Sequence, residues 1–411
     1  MSLSESVYGG AQPEPQPQSA ATPTPRPALH TPDPSDALSR ALDGILIIQS
    51  SQVGKHPRGA TVVVFQGKLM QDAEAAYPLV EERFRKLGYT PMMEKRGEQD
   101  AIFAVEGIMS GRKIADRPWL HLLLLVATII TTTLSGAQFT GIGINGLMQQ
   151  LSNGNFGYLW RVFTAGAPFA LTLLLILGVH EMGHYIAARR HGVSVTLPFF
   201  IPVPLISLLG TLGAVIFIRS PLTNRKQLFD VGISGPLAGF VVALIAFIIG
   251  LNMKASPTPN MVLMQAFGTD RIGMPILLTA LGDIFRPNTN LSRFVTTQPI
   301  AFAAWFGMFL TVLNLIPMGQ LDGGHVMYTL FGRAAWTIAY IAFAGLLVLG
   351  TLGFYSLIIY ALLGLMTGLR HPPPNNDITP LDWRRRLLGY ATIVLFFLIV
   401  TPNPFPAMRG F

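Results

Sequence analysis

The segment His180-Glu181-Met182-Gly183-His184 places two histidines and a glutamate inside an otherwise apolar run. A spacing of four residues puts His180 and His184 on one face of a helix, where both imidazoles can bind one metal ion. In a zinc hydrolase, a glutamate at the position of Glu181 takes a proton from the water that the metal activates. The spacing therefore predicts a metal-dependent hydrolytic site with Glu181 as its general acid and base.

Two histidines leave such a site incomplete, because a catalytic zinc ion usually has three protein ligands and one open position. The sequence contains no cysteine, so the third ligand must be histidine, aspartate or glutamate. Asp322 follows the apolar run Pro299–Met318, which in the predicted topology ends at the same membrane face as the helix carrying His184. We therefore predict Asp322 as the third ligand. His325 is the alternative ligand, although we expect it to lie behind the ligands or to face the cytoplasm.

The composition is that of an integral membrane protein. Half of the 411 residues are hydrophobic and only 12% are charged, whereas soluble domains carry about a quarter charged residues. The net charge of +8 is expected to come from basic cytoplasmic loops and not to indicate a nucleic-acid partner. Ionisable side chains are rare within a bilayer and are usually functional there, which favours a functional role for the histidine pair over a chance match.

The predicted fold class is a polytopic α-helical membrane protein with a re-entrant hairpin, plus a small N-terminal α+β soluble domain. A membrane span needs about 20 mostly apolar residues. Proline and glycine interrupt the apolar run Phe199–Ile218, which therefore predicts a re-entrant hairpin. The predicted spans, of which the last two are short, are Trp119–Ala137, Ala165–Ala188, Phe229–Leu251, Pro299–Met318, Trp336–Gly353, Tyr355–Leu369 and Leu387–Val400.

Three regions follow from these patterns. Residues 1–35 form a Pro-rich tail that we expect to be disordered, because this composition cannot bury a core. Residues 36–112 are expected to form the soluble domain, with a helix over Ser35–Ser50 followed by elements in β-α-β-β order. Residues 113–411 form the membrane domain.

The tail shows no signal-peptide pattern, and the basic clusters place the soluble domain in the cytoplasm, most simply at a bacterial-type plasma membrane.

The two motifs together resemble the site-2 protease family of intramembrane zinc metallopeptidases. The family pairs an H-E-x-x-H helix with a distal N-x-x-P-x-x-x-x-D-G motif, which NLIPMGQLDGG, residues 314–324, matches here. The run ISGPLAGF, residues 233–240, resembles the family's small-residue motif, and we expect its Gly235 and Gly239 to allow close helix packing. The likeness is close over residues 165–330, and the soluble segment is similar to the plastid and cyanobacterial branch.

The resemblance implies that His180, His184 and Asp322 bind one Zn²⁺ per chain. It also implies that Glu181 is the general acid and base, and that Asn314 binds substrate or stabilises the oxyanion. The expected partners are the lipid bilayer and a membrane-protein substrate with a transmembrane helix, whose peptide bonds are cleaved in or near the membrane. The sequence does not define an oligomeric state.

The alternative function is a zinc-binding membrane transporter or a non-catalytic membrane scaffold. Transporters are commonly built from two matching halves with interrupted helices. The sequence shows no such repeat, and transport does not require a glutamate between two histidine ligands.

Overall fold

The computed structural model describes residues 34–55, 59–108, 117–204, 208–256 and 260–406. Apart from its last two residues, the predicted tail lies outside the described residues. The soluble domain consists of α1 (Pro34–Ala41), β1 (Leu46–Lys55), β2 (Thr61–Leu69), α2 (Ala73–Lys86), β3 (Tyr89–Arg96) and β4 (Gln99–Glu106). The membrane region begins with α3 (Pro118–Phe139), α4 (Ile144–Ser152), α5 (Tyr158–Arg190), β5 (Phe199–Pro202) and β6 (Thr211–Val215).

The remaining elements are all helical. They are α6 (Arg225–Leu251), α7 (Met261–Phe267), α8 (Ile276–Phe285), α9 (Leu291–Thr297), α10 (Pro299–Leu315), α11 (Asp322–Phe331), α12 (Ala334–Thr351), α13 (Ser356–Met366) and α14 (Trp383–Ile399).

The soluble domain is a four-stranded antiparallel sheet in the order β1-β2-β4-β3, with its core formed against α1 and α2. The predicted helix over Ser35–Ser50 is only half right, since α1 ends at Ala41 and Leu46 begins strand β1. Gly44, with φ +75°, turns the chain, and the β-branched residues that follow it favour an extended strand over a helix. The sequence pattern therefore missed one edge strand of the sheet.

Among the described residues of the membrane region, four helices are long and apolar enough to cross a bilayer, namely α3, α5, α6 and α12. The pair α9 and α10, bent by 106° between them, would make a fifth span if it crosses as one unit. All seven predicted apolar runs form helices among the described residues, although α13 has only 11 residues. The predicted fold class is therefore confirmed.

The re-entrant hairpin consists of β5 and β6, which pair antiparallel and pack against α3. His121 of α3 holds the first strand, because its Nδ1 lies 3.1 Å from the carbonyl oxygen of Pro198 and its ring lies 3.9 Å from that of Phe199. Gly210, with φ +75°, brings the returning chain against the backbone of Thr131. The hairpin is thus fixed at membrane depth by the first span.

The helices α5, α6 and α10 form the centre of the membrane region, and α3 packs against α5. The crossing of α3 and α5 is a direct backbone contact. A Cβ atom on Gly166 would lie 2.0 Å from the carbonyl oxygen of Thr133, and one on Gly136 would lie 2.5 Å from the oxygen of Gly166. Glycine at these two positions therefore sets the distance between α5 and the helix that holds the hairpin.

We expect Gly166→Ala to separate α3 from α5. In an unconstrained helix this change stabilises, because alanine has the higher helix propensity, but here overpacking lowers the free energy of unfolding by about 1–3 kcal/mol. Thermal unfolding of purified protein in detergent micelles measures the effect. Gly345→Ala in α12 is the matched control, since no atom lies within 4 Å of its added Cβ. Equal melting temperatures for the two variants would contradict the proposed contact.

Candidate active site

The three residues predicted as metal ligands come together between membrane helices. His180 and His184 lie on α5 with their Nε2 atoms 3.1 Å apart. The Oδ2 atom of Asp322, the first residue of α11, lies 3.4 Å from Nε2 of His180 and 3.3 Å from Nε2 of His184. Within the described part of the chain, these residues form the one cluster with metal-binding spacing. The structure thus brings residues 138 and 142 positions apart in the sequence to one point.

The arrangement fits a tetrahedral zinc ion. Ligand bonds of about 2.0–2.1 Å in a tetrahedral site place neighbouring donor atoms about 3.3–3.4 Å apart, and the three observed separations are 3.1, 3.3 and 3.4 Å. Both histidines are buried, and the side chain of Asp322 is only 16% exposed. Two imidazoles and one carboxylate also form a donor set that zinc prefers over magnesium or calcium.

The tautomer of His184 is set by a contact behind the donor triangle. Its Nδ1 lies 2.6 Å from the backbone carbonyl oxygen of Val231 on α6, which can only accept a hydrogen bond. Nδ1 therefore carries the proton, and the lone pair of Nε2 points toward His180 and Asp322. This carbonyl contact is the arrangement commonly found behind metal-binding histidines.

Gly235 and Gly239 of α6 make room for the two imidazole rings. A Cβ atom on Gly235 would lie 2.1 Å from Nε2 of His184, and one on Gly239 would lie 3.1 Å from Cβ of His180. The expected close helix packing is present at the same place, because a Cβ on Gly183 of α5 would lie 2.6 Å from the carbonyl oxygen of Ser234 and 3.1 Å from Cα of Gly235. The small-residue motif therefore leaves space for the two imidazole rings and also allows α5 and α6 to pack closely.

A cavity of about 310 Å³ opens on the donor atoms and is lined by Glu181, Asn314 and the end of the hairpin. Nδ2 of Asn314, in the last turn of α10, lies 3.2 Å from Nε2 of His180. The carboxylate of Glu181 faces the backbone amide group of Ile216. Every residue that the sequence assigned to the chemistry therefore borders one cavity. The positions agree with the predicted roles, which remain predictions.

His325 does not join the donor triangle, so it is not the third metal-binding residue. It borders the same cavity, and its Nδ1 lies 2.6 Å from Nε2 of His371. The ring of His371 is buried and stacks on Tyr328 at 5.0 Å. Burial, the larger cause, and the neighbouring His325 together lower the pKa of His371 to about 3.

His191 joins a polar cluster at the end of α5. Its Nε2 lies 2.8 Å from Asp230 of α6, and Arg385 of α14 binds that carboxylate with two nitrogens at 2.6 and 2.7 Å. Asp382 also contacts Arg385. The cluster links the end of α5 with the starts of α6 and α14. Nothing in the spacing predicted that His191, Asp230 and Arg385 meet, because they belong to three different elements.

Comparisons with known proteins agree with the motifs. Residues 168–359 match peptidase family M50. Over 244 residues the chain is 32% identical to the probable zinc metalloprotease EGY2, chloroplastic, of Arabidopsis thaliana, covering 58% of this chain and 42% of the relative.

Two further relatives show similar identity. The probable zinc metalloprotease EGY1, chloroplastic, of Oryza sativa subsp. japonica is 33% identical over 57% of this chain and 39% of its own length. The probable zinc metallopeptidase EGY3, chloroplastic, of Arabidopsis thaliana is 30% identical over 56% and 42%. The chain thus matches about two fifths of the length of these relatives. No solved structure matches.

Gly235→Ala tests whether the α6 surface shapes the donor triangle. The added methyl group displaces the ring of His184, so we expect zinc affinity to fall by at least about tenfold. Competition with a chromophoric zinc chelator measures the affinity of the purified protein. Gly239→Ala should have a smaller effect, because its Cβ meets His180 at 3.1 Å, and Gly345→Ala should have none. Wild-type affinity in Gly235→Ala would show that the ring is not confined there.

Proposed function

Because residues 168–359 of this chain match peptidase family M50, we propose that the protein is an intramembrane zinc endopeptidase. Its substrates are membrane proteins, which it cleaves in or near a transmembrane segment. The single observation that carries the proposal is the convergence of His180, His184 and Asp322 beside Glu181 in one cavity between membrane helices. The transporter and scaffold alternatives are not favoured, because the matched family is a peptidase family.

In this proposal His180, His184 and Asp322 hold one zinc ion. When bound, zinc supplies Lewis acidity, which lowers the pKa of a water molecule and polarises a peptide carbonyl group. The carboxylate of Glu181 accepts the proton of the attacking water and delivers it to the nitrogen of the leaving amine. The amide of Asn314 donates a hydrogen bond to the carbonyl oxygen as negative charge develops on it.

The hairpin supplies an edge on which an unwound substrate can pair. Both backbone groups of Phe217 bond to Thr196. The carbonyl oxygen of Phe217 accepts from the backbone N–H of Thr196, and the N–H of Phe217 donates to the hydroxyl group of Thr196. Backbone groups alternate in direction along an antiparallel strand, so those of Ile216 point to the opposite side, toward the catalytic cavity. A transmembrane helix has its carbonyl groups bonded within itself, and pairing with this edge would hold the extended form that cleavage requires.

The chain is a multi-pass membrane protein, and we propose that its soluble domain is cytoplasmic, in a bacterial-type plasma membrane. The basic ends of α5, α6 and α14 meet in the cluster around Asp230 and Arg385. Lys226, at the start of α6, binds Glu74 of the soluble domain at 2.5 Å. The soluble domain therefore lies at the basic end of the helices, which supports the cytoplasmic side by the positive-inside rule.

The proposed domain limits are residues 36–112 for the soluble domain and 113–411 for the membrane domain. The helix α1 begins at Pro34 and the span α3 at Pro118, which supports both limits to within a few residues. The second limit lies at residues 109–116, outside the described residues.

Glu181→Gln should abolish cleavage while leaving the metal site intact. The amide keeps the shape of the carboxylate but accepts no proton, so we expect kcat to fall by about 10²–10⁴. Cleavage of a membrane-anchored reporter by purified protein in liposomes, with zinc content from elemental analysis, provides both readouts. Glu82→Gln, on the surface of α2, is the control. Unchanged cleavage would refute the assigned mechanism, and loss of zinc would make Glu181 a ligand instead.

Ile216→Pro tests pairing of substrate with the hairpin edge. Proline removes the backbone N–H that faces the cavity and the carboxylate of Glu181, and a substrate carbonyl left without its donor costs about 1–3 kcal/mol. We therefore expect KM for the reporter to rise at least about tenfold with zinc retained, whereas a fall in kcat alone would report the lost contact with Glu181. Ile216→Val keeps the backbone amide and should cleave like the wild type. Equal activity of the two variants would rule out edge pairing at this residue.

A further inference from the structure

A second cavity, of about 510 Å³, adjoins the catalytic cavity on the side of the soluble domain. The two cavities share Ile218, Gln320 and His325 in their linings, so these three residues lie at the boundary between them. The chain that leaves the hairpin edge at Ile216 runs directly along the second cavity, through Ile218 and Leu222. A peptide extended along the hairpin edge would therefore continue into this space.

The opposite wall is formed by residues 371–375, which we call the strap wall. Pro372, Pro373 and Pro374 present apolar rings and have no amide hydrogen, so they cannot pair as strand donors with a passing chain. His371 lies at one end of the strap wall and touches His325 of the catalytic cavity. One wall of the second cavity thus continues the hairpin edge, and the other is rigid and apolar.

The soluble domain holds the strap wall through strand pairing at the edge of its sheet. The amide of Met93 donates to the carbonyl oxygen of Asn375 at 2.6 Å, and the amide of Asp377 donates to the carbonyl oxygen of Met93 at 2.9 Å. The side chain of Asn375 also donates to the hydroxyl of Tyr77 at 3.1 Å. The segment after the prolines therefore pairs in parallel with the edge strand β3 and extends the sheet by one short bridge.

The same segment is bound to the membrane region from its other side. The amide of Asn376 donates to the carbonyl oxygen of Thr223 at 2.6 Å. The carboxylate of Asp377 accepts from Arg225 Nε at 2.8 Å and from the hydroxyl of Tyr328 at 3.0 Å. Arg225 begins α6, the helix whose glycines seat the histidine rings. The position of the strap wall therefore depends on contacts with both domains.

We propose that the second cavity is a substrate subsite. It binds, in extended form, the substrate residues that lie between the scissile bond and the soluble domain, and the soluble domain sets its width by holding the strap wall. The proposal rests on the proposed peptidase function. Continuity with the catalytic cavity and with the hairpin edge identifies a polypeptide segment as the occupant.

Site-directed disulfide cross-linking tests where the substrate binds. The chain has no cysteine of its own, so each introduced cysteine is the single reactive thiol of the protease. Leu222→Cys and Pro372→Cys, on opposite walls, are each introduced into the Glu181→Gln variant and reconstituted with a membrane-anchored substrate. That substrate carries single cysteines on either side of its scissile bond. We expect disulfide formation with both positions only for substrate cysteines on the soluble-domain side of the scissile bond. Leu79→Cys, exposed on α2 and outside both cavities, is the control.

The outcomes separate the two proposals. If the wild type cleaves the reporter but cross-links do not exceed those of Leu79→Cys, the peptidase function stands and the subsite is refuted. If cross-links form equally with both sides of the scissile bond, the assigned direction is wrong and the subsite is also refuted. If the wild type does not cleave the reporter, the peptidase function fails and the subsite fails with it.

Loosening the strap wall tests the role of the soluble domain. Tyr77→Phe removes the hydrogen bond to Asn375 and leaves the ring in place. We expect KM to rise about threefold to tenfold with little change in kcat, the pattern for lost ground-state binding. The rise should disappear for a substrate truncated on the soluble-domain side. Tyr390→Phe, on the exposed face of α14, is the matched control. An equal rise in KM for the truncated substrate would refute the coupling.

Discussion

Two imidazole rings and a carboxylate are buried together between apolar helices, and burial of such groups costs several kcal/mol unless each finds a partner. His180, His184 and Asp322 lie within 3.4 Å of one another, and a metal ion is the partner that all three can share. The constraint reaches beyond the donors. His184 needs a carbonyl behind it, which α6 supplies at Val231, and both rings need space beside α6.

That need for space determines how the central helices meet. Side chains at Gly235 or Gly239 would occupy the volume of the rings, so α6 presents glycine to the histidines and approaches α5 closely at Gly183. Asp322 can reach the same point because α10 ends at Leu315, before Pro317, and the chain re-enters as the separate helix α11. The break in the helix carries the carboxylate to the site, and it also leaves the amide of Asn314 facing the cavity.

The sequence predicted the parts of the site that belong to motifs of fixed spacing, namely the i, i+4 histidines and the distal N-x-x-P motif. It did not predict contacts between elements that are distant along the chain. His371 stands among prolines and polar residues, and nothing in that stretch of sequence reveals the packing against Tyr328 that buries it. Strand β1 was missed because Leu46–Ile48 has no alternation, and only pairing with β2 distinguishes it from the helix before it.

The roles of the glycines and of the strap wall also depend on contacts between distant elements, which the sequence does not predict. Gly235 is predictable as a small residue, but its function depends on which side chain faces it, and that is decided by the crossing of α5 and α6. The soluble domain likewise looked separate in the sequence, because a polar linker follows it. Pairing of β3 with Asn375 and Asp377 instead makes it part of the wall beside the catalytic cavity. A movement of this domain would therefore change the width of the second cavity.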